Sequence, residues 1–251
     1  MHKIFAKTLF LGKKVLFLPQ CHSTNDELTQ MVKKESLPEG TLIYTDHQVS
    51  GRGQRGNSWN SSPQLNVLTS FLVKPYFLPP GKQFYLTMVI GMAVYDALKE
   101  LGLGNVKIKW PNDIYVGDLK IAGVLVEASI SGSLMENVVI GLGLNVNQMD
   151  FGQLNATSVK LETGHHYHRN EVLEQILICF EKWYLLLKAK RHDEISHAYH
   201  EKLMWIGETR TFKAGNIFKG VIQGVDQQGR LIISHDGANL TYDIKEVQFI
   251  N

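Results

Sequence analysis

The sequence predicts an α+β protein, a mixed sheet packed with helices and followed by a small barrel-like β module. Three observations carry that expectation. Strand and helix patterns interleave without a regular repeat over roughly the first 205 residues. Two segments, 83–102 and roughly 169–204, place apolar residues at helical spacing. After about residue 205 the character changes, and FKGVIQGVDQQGRLIISHDGANLTYDI reads as short strands joined by QQG and DG turns. The expected division is therefore 1–205 and 206–251.

Taken in order, VLFLP at 15–19 and TLIYTDHQ at 41–48 are strands. Between them STNDELTQMVKKE starts a helix, with Ser23 or Thr24 ahead of an acidic pair and Leu28, Met31 and Val32 as its apolar face. NVLTSFLVKP at 66–75 is a strand stopped by Pro75. QFYLTMVIGMAVYDALKELG at 83–102 is a buried helix with a glycine stop. Strands return over 106–147, with hairpin turns at Gly117–Asp118 and at Ser131–Ser133. One long helix over roughly 169–204 puts Val172, Ile176, Phe180, Trp183 and Leu187 on one face.

Composition narrows the function classes. A chain of 251 residues with 44% hydrophobic and 20% charged residues is an ordinary soluble globule with room for a large and a small domain. A net charge of +2 supplies no field that argues for nucleic acid or membrane. Cys21 and Cys179 lack CxxC spacing and read as reduced thiols, which points to the cytoplasm. Lys7, Lys13 and Lys14 interrupt the apolar amino-terminal stretch, and no segment approaches the roughly 20 apolar residues of a membrane span. His165, His166 and His168 lie in a polar turn without acidic or cysteine partners, so no metal site is expected there.

Four stretches can carry chemistry. In GRGQRGNSW at 51–59, glycines let backbone wrap a ligand while Arg52 and Arg55 offer forked donors for carboxylate or phosphate; the plainer reading is a solvated turn. In KWPNDIYVGDLKIAGVLVE, Lys109 and Lys120 flank Asp113, and Gly123 follows Lys120 where a side chain would block a ligand; the plainer reading is a surface hairpin with ordinary charge pairing. GLGLNVN at 141–147 pairs two glycines with Asn145 and Asn147, and alone reads equally as a turn. HSTNDE at 22–27 offers hydroxyls and amides for a polar head, although helix capping explains Ser23 or Thr24 equally well.

In this order and at these distances, STN at 23–25, GRGQRG, KWPNDI, KIAGVLVE and GLGLNVN resemble the biotin–protein ligases over nearly the whole chain. The resemblance implies a class II synthetase-like catalytic domain over 1–205 that binds biotin and ATP, with Mg²⁺, and an SH3-like barrel over 206–251. It implies formation of biotinyl-5′-AMP with release of pyrophosphate, then transfer of biotin to one lysine of a biotin carboxyl carrier domain. Carried over residue by residue, Ser23, Thr24, Asn25, Gln48 and Gly123 would lie at biotin, and Arg52, Gly53 and Gln54 in a lid over biotin and its adenylate. Arg55, Trp59, Asn112 and Asn145 would lie on the nucleotide side, Lys120 would reach both carboxylate and α-phosphate, Lys120 and Arg52 would act as catalytic cations that offset the repulsion of the two anions, and Asp113 would orient or deprotonate the acceptor amine. Gln54 and Asn57 stand where many relatives carry arginine, so this lid is less basic than the commonest form, with Arg55 as a second cation. The STN motif falls too near the start for the winged-helix domain of the repressor members, so specific DNA binding is not expected. A sheet edge that docks the carrier, or a second copy in a homodimer, fits the family pattern. The alternative is a lipoate or octanoate ligase or transferase of the same fold.

Overall fold

The computed structural model describes residues 7–250 apart from Ser133, and for Arg55 the backbone alone. Its first unit is a seven-stranded mixed sheet. In chain order, β1 (Val15–Cys21) is followed by α1 (Thr24–Lys34), β2 (Leu42–Gln48), β3 (Val67–Val73) and α2 (Phe84–Glu100). Then come β4 (Val106–Lys109), β5 (Asp113–Val116), β6 (Leu119–Ser131) and β7 (Leu134–Leu144). The spatial order is β1-β2-β3-β7-β6-β5-β4. Only β1 and β2 run parallel, because α1 supplies the crossover that parallel neighbours require; the other pairs are antiparallel.

Helices cover both faces, which explains why VLTSFLV is apolar or small throughout: every residue of β3 is buried. On one face Leu28 of α1 packs with Leu37, Ile43, Leu72 and Val139. On the other, α2 and α4 (Arg169–Lys188) bury a larger core in which Phe71 meets Phe180 edge-on at 4.8 Å between ring centroids. The apolar face expected for the carboxy-terminal helix is buried at all five positions, Val172, Ile176, Phe180, Trp183 and Leu187.

That helix is not continuous. It stops at Lys188, and α5 (His192–Lys202) starts in a new direction after Lys190 takes a left-handed φ of 60°. No Gly or Pro marks the break; the second helix turns so that Tyr199 packs edge-on against Phe84. A short helix, α3 (Val159–Thr163), was not foreseen either, although Ser158 caps it by accepting from the Leu161 N–H and Gly164 closes it at a φ of 77°. The turn between β5 and β6 is the expected Gly117–Asp118, whereas the turn expected at Ser131–Ser133 reaches a residue outside the described set.

The carboxy-terminal unit contains β8 (Thr209–Ala214), β9 (Asn216–Val225), β10 (Leu231–His235), β11 (Ala238–Tyr242) and β12 (Gln248–Ile250), paired antiparallel in the order β11-β10-β9-β8-β12. Among the described residues β11 and β12 do not pair, so the ladders form an open sheet rather than a closed barrel. Its β9–β10 turn seats on the first unit. Trp110 Nε1 donates to the Gly229 carbonyl at 2.8 Å, and the Val225 N–H donates to His200 Nε2 at 2.8 Å.

Candidate active site

The site grows from a run of missing side chains. Gly123 of β6 lies opposite Gly143 of β7, and Leu125 lies opposite Gly141, so these positions share one face of the sheet. GLGL is therefore strand, not turn, and its glycines make room. A Cβ on Gly143 would overlap the Trp59 ring, a Cβ on Gly141 would overlap the Asn25 amide oxygen, and one on Gly123 would lie 3.1 Å from Trp59 Cζ3. The resulting cleft holds about 600 Å³ of open space, its mouth included.

Its far end is polar and internally wired. Gln48 Oε1 accepts from the Thr24 N–H at 2.8 Å and lies 3.1 Å from Thr24 Oγ1. Ser70 Oγ sits 2.7 Å from Thr24 Oγ1 and 2.5 Å from Asn25 Oδ1, and Asn25 Nδ2 donates to Glu127 Oε2 at 2.9 Å. Thr24, Asn25 and Ser70 are almost fully buried, where unpaired polar groups would be costly. Ser23, at the N-cap position of α1, makes no side-chain cap hydrogen bond and lines the cleft instead.

The other end carries the charge. Lys120 Nζ lies 2.7 Å from Asp113 Oδ1, both partly exposed. Lys120 and Gly123 are three residues apart, so in a regular strand they would face opposite sides. A bulge shifts the β5–β6 register so that Tyr115 pairs with Lys120 while Ile114 pairs with Ala122, which turns Lys120 into the cleft and sends Ile121 into the core. Lys109 does not share this pair. Its ammonium sits 4.8 Å from the Tyr115 ring centroid and 4.9 Å from that of Trp205. Burial holds it below the ordinary lysine range, with Asp113 raising it and Lys120 lowering it further.

The loop 51–59 closes over the cleft as a tight hairpin, with Gly53 N–H donating to the Asn57 carbonyl at 2.7 Å and Trp59 N–H to the Gly51 carbonyl at 2.8 Å. Arg52 is not aimed at an empty anion site. It is ion-paired to Asp26 and, at 2.6 Å, to Glu127 Oε1. The Glu127 hydrogen bond, opposed by desolvation and helped by Asp26, raises its guanidinium further above an already high value.

Of the residues named from sequence, Ser23, Thr24, Asn25, Gln48, Arg52, Gly53, Gln54, Trp59, Asn112, Asp113, Lys120 and Gly123 all line this cleft. Asn145 does not. It is buried and donates to the Thr157 carbonyl at 2.9 Å, tying β7 to the segment that follows. Asn112 lines the cleft, but its amide donates to the Val124 carbonyl at 2.5 Å. The Arg55 side chain lies outside the described set. Sequence reasoning pointed to the two glycines of GLGLNVN, which are Gly141 and Gly143, but missed Asp26, Ser70 and Glu127. Asp26 and Glu127 stand inside the quoted motifs, STND and KIAGVLVE, but only the third dimension shows that both face Arg52.

Sheet, glycine floor and lysine–carboxylate pair define a domain built around one cleft, polar at one end and carrying a paired cation at the other. The chain belongs to the Biotin/lipoate A/B protein ligase family, whose model matches residues 17–145. It is 31% identical over 250 residues to the bifunctional ligase/repressor BirA of Bacillus subtilis, covering 94% of this chain and 74% of that protein. It is 29% identical to the biotin–[acetyl-CoA-carboxylase] ligase of Paracoccus denitrificans, covering 92% of this chain and 99% of the relative. Biotin protein ligase from Aquifex aeolicus, in complex with biotin and ATP, superimposes with a TM-score of 0.80 at 27% identity, over 95% of this chain and 99% of that one.

Proposed function

We propose that this chain is a biotin–protein ligase that joins biotin to ATP as biotinyl-5′-AMP and then transfers biotin to a lysine of a biotin carboxyl carrier domain. Residues 1–205 would form the catalytic domain and 206–251 the carboxy-terminal module. The observation that carries the reading is the cleft itself, with a hydrogen-bonding end at Thr24, Asn25 and Gln48, and Lys120 beside Asp113 at the other. Two relatives and a solved structure matched over most of the chain are named biotin ligases, which disfavours the lipoate alternative.

In the first step a biotin carboxylate oxygen bonds to the α-phosphorus and pyrophosphate leaves. Two anions must approach, and Lys120 is the side chain placed to offset their repulsion. In the second step the acceptor amine attacks the biotinyl carbonyl, AMP leaves with the bonding pair, and the amine loses a proton beside the Asp113 carboxylate. Trp59 and the hairpin 51–59 cover the cleft and shield the mixed anhydride from water. Mg²⁺ would arrive with the nucleotide, held through its phosphate oxygens and few protein ligands, as is usual for that ion.

A carrier domain, or a second copy of the chain, has an edge to pair with. β5 covers β6 only as far as Gly123, and among the described residues nothing pairs with that edge from Leu125 to Ser131. No described helix is long and apolar enough to cross a membrane. Pyrophosphate release with biotin and ATP, followed by labelling of an apo-carrier domain, tests the proposal. Release with lipoate but not biotin would overturn it.

A further inference from the structure

Glu127 is the point where the lid and the polar end of the cleft meet. Its Oε1 accepts from Arg52 Nη2 at 2.6 Å, and its Oε2 from Asn25 Nδ2 at 2.9 Å, with Arg52 Nη1 at 3.4 Å. An ionised carboxylate only accepts, so it forces the Asn25 amide to present nitrogen to Glu127 and oxygen to Ser70 Oγ. Ser70 Oγ is the donor within reach of both Asn25 Oδ1, at 2.5 Å, and Thr24 Oγ1, at 2.7 Å, while the Thr24 hydroxyl donates to Gln48 Oε1 at 3.1 Å. Gln48 Oε1 is held by the Thr24 N–H, so the Gln48 NH₂ group faces away from Thr24. One carboxylate thus fixes the orientation of the Asn25 amide, and with it the acceptor that Ser70 faces, and anchors the lid arginine as well.

We propose that Glu127 is a positioning residue for biotin activation. It acts through Asn25 to orient the groups that hold the biotin ring, and through Arg52 to keep the lid over the cleft. The assignment of the ligand rests on the biotin–ligase reading, whereas the mechanical part, a carboxylate that clamps the lid to the cleft wall, does not. A purely structural role is a poor account of it: Glu127 is about one-third exposed and both of its partners line the cleft.

The test is Glu127→Gln, an isosteric amide that must turn a donor towards either Arg52 or Asn25. Without any substrate, hydrogen exchange at the Trp59 and Gly53 amides, which close the hairpin, should speed up about two- to fivefold over wild type. With substrates, the biotin KM should rise about tenfold while kcat changes much less, because the lost contacts act on binding. More biotinyl-AMP should also escape into solution. In double variants, Asn25→Ala should leave Glu127→Gln little further effect on KM, and Arg52→Ala little further effect on escape. If Glu127→Gln unfolds, Glu127→Asp keeps the charge but is one methylene short of holding both partners, and the same changes are expected at smaller size. Wild-type exchange, KM and escape in a folded variant would overturn the role of Glu127, as would full additivity in both double variants. Wild-type protein inert towards biotin would instead overturn the biotin–ligase reading, with the substrate-free exchange still deciding the clamp.

Discussion

Lys120 Nζ and Asp113 Oδ1 stand 2.7 Å apart because a bulge between β5 and β6 turns Lys120 to the same face as Asp113. The pair is a third or less exposed, so the lysine is held by a neighbour without being sealed from a ligand. A cation fixed at a place where negative charge converges costs little reorganisation when the reaction occurs.

Lys120→Ala should therefore lower biotinyl-AMP formation by about 10²–10³-fold, the usual cost of one preorganised charge-stabilising group. The fold should survive, since the side chain is partly exposed and its backbone bonds to Asn155 and Thr157 remain. Adenylate synthesis at the wild-type rate in a folded Lys120→Ala protein would remove Lys120 from the reacting centre.

The glycine floor gives a second expectation. Gly143→Ala places a methyl group inside the Trp59 ring, so the ring must leave the cleft wall or the β7 strand must shift. Gly91→Ala in α2 is the control, because its added Cβ meets only Ile108 side-chain carbons at 3.5 Å. Gly143→Ala should weaken ATP and biotin binding at least tenfold in calorimetric titration, with Gly91→Ala near wild type. Equal affinities would show that the floor tolerates a side chain.

How much of this was legible in the sequence depends on the physical scale of the signal. Apolar residues at helical spacing placed α1 and α2, and short apolar runs placed β1, β2 and β3, whose burial runs from one residue of β1 to all of β3. Helical spacing could not see the break at Lys190, where a residue without special backbone freedom takes φ 60° to let α5 repack. Twelve of the site residues named from motifs line one cleft, because those motifs keep the backbone close together. Asn145 stands apart from them: motif position put it at the nucleotide, and in the ligand-free protein its amide donates to the Thr157 carbonyl. The roles of Glu127 and Asp26 depend on two strands and a loop meeting, and no local spacing encodes that.

The lid supplies a third expectation. In the ligand-free protein the 51–59 hairpin is held by Gly53 and Trp59 backbone bonds and by the exposed pairs of Arg52, each worth little in water. Biotin and ATP together should slow hydrogen exchange across 51–60 and protect it from proteolysis. Identical exchange with and without both ligands would mean that the lid does not respond to them.

The last expectation concerns stability. Tyr199 is fully buried, its hydroxyl finds no hydrogen-bond partner among the described residues, and its ring packs edge-on against Phe84 at the junction of α2 and α5. Burial pushes its phenol well above the ordinary value of 10.0; Tyr184 is raised the same way, with Glu39 adding to it, and Tyr115 is pushed up to about 12. A group whose folded pKa exceeds its unfolded one leaves stability intact below pH 10. Above that the unfolded chain ionises first, and each such tyrosine costs about 1.4 kcal/mol per pH unit until its folded pKa is reached. Stability should therefore fall steeply with rising pH above 10. Tyr199→Phe removes an unpaired buried hydroxyl, so at pH 7 it should be as stable as wild type or more so by about 1 kcal/mol. Its alkaline slope should also be shallower by one proton. Urea unfolding at pH 7 and at intervals above 10 reads both quantities, and a Tyr199→Phe protein several kcal/mol less stable at pH 7 would show that the hydroxyl is satisfied in solution.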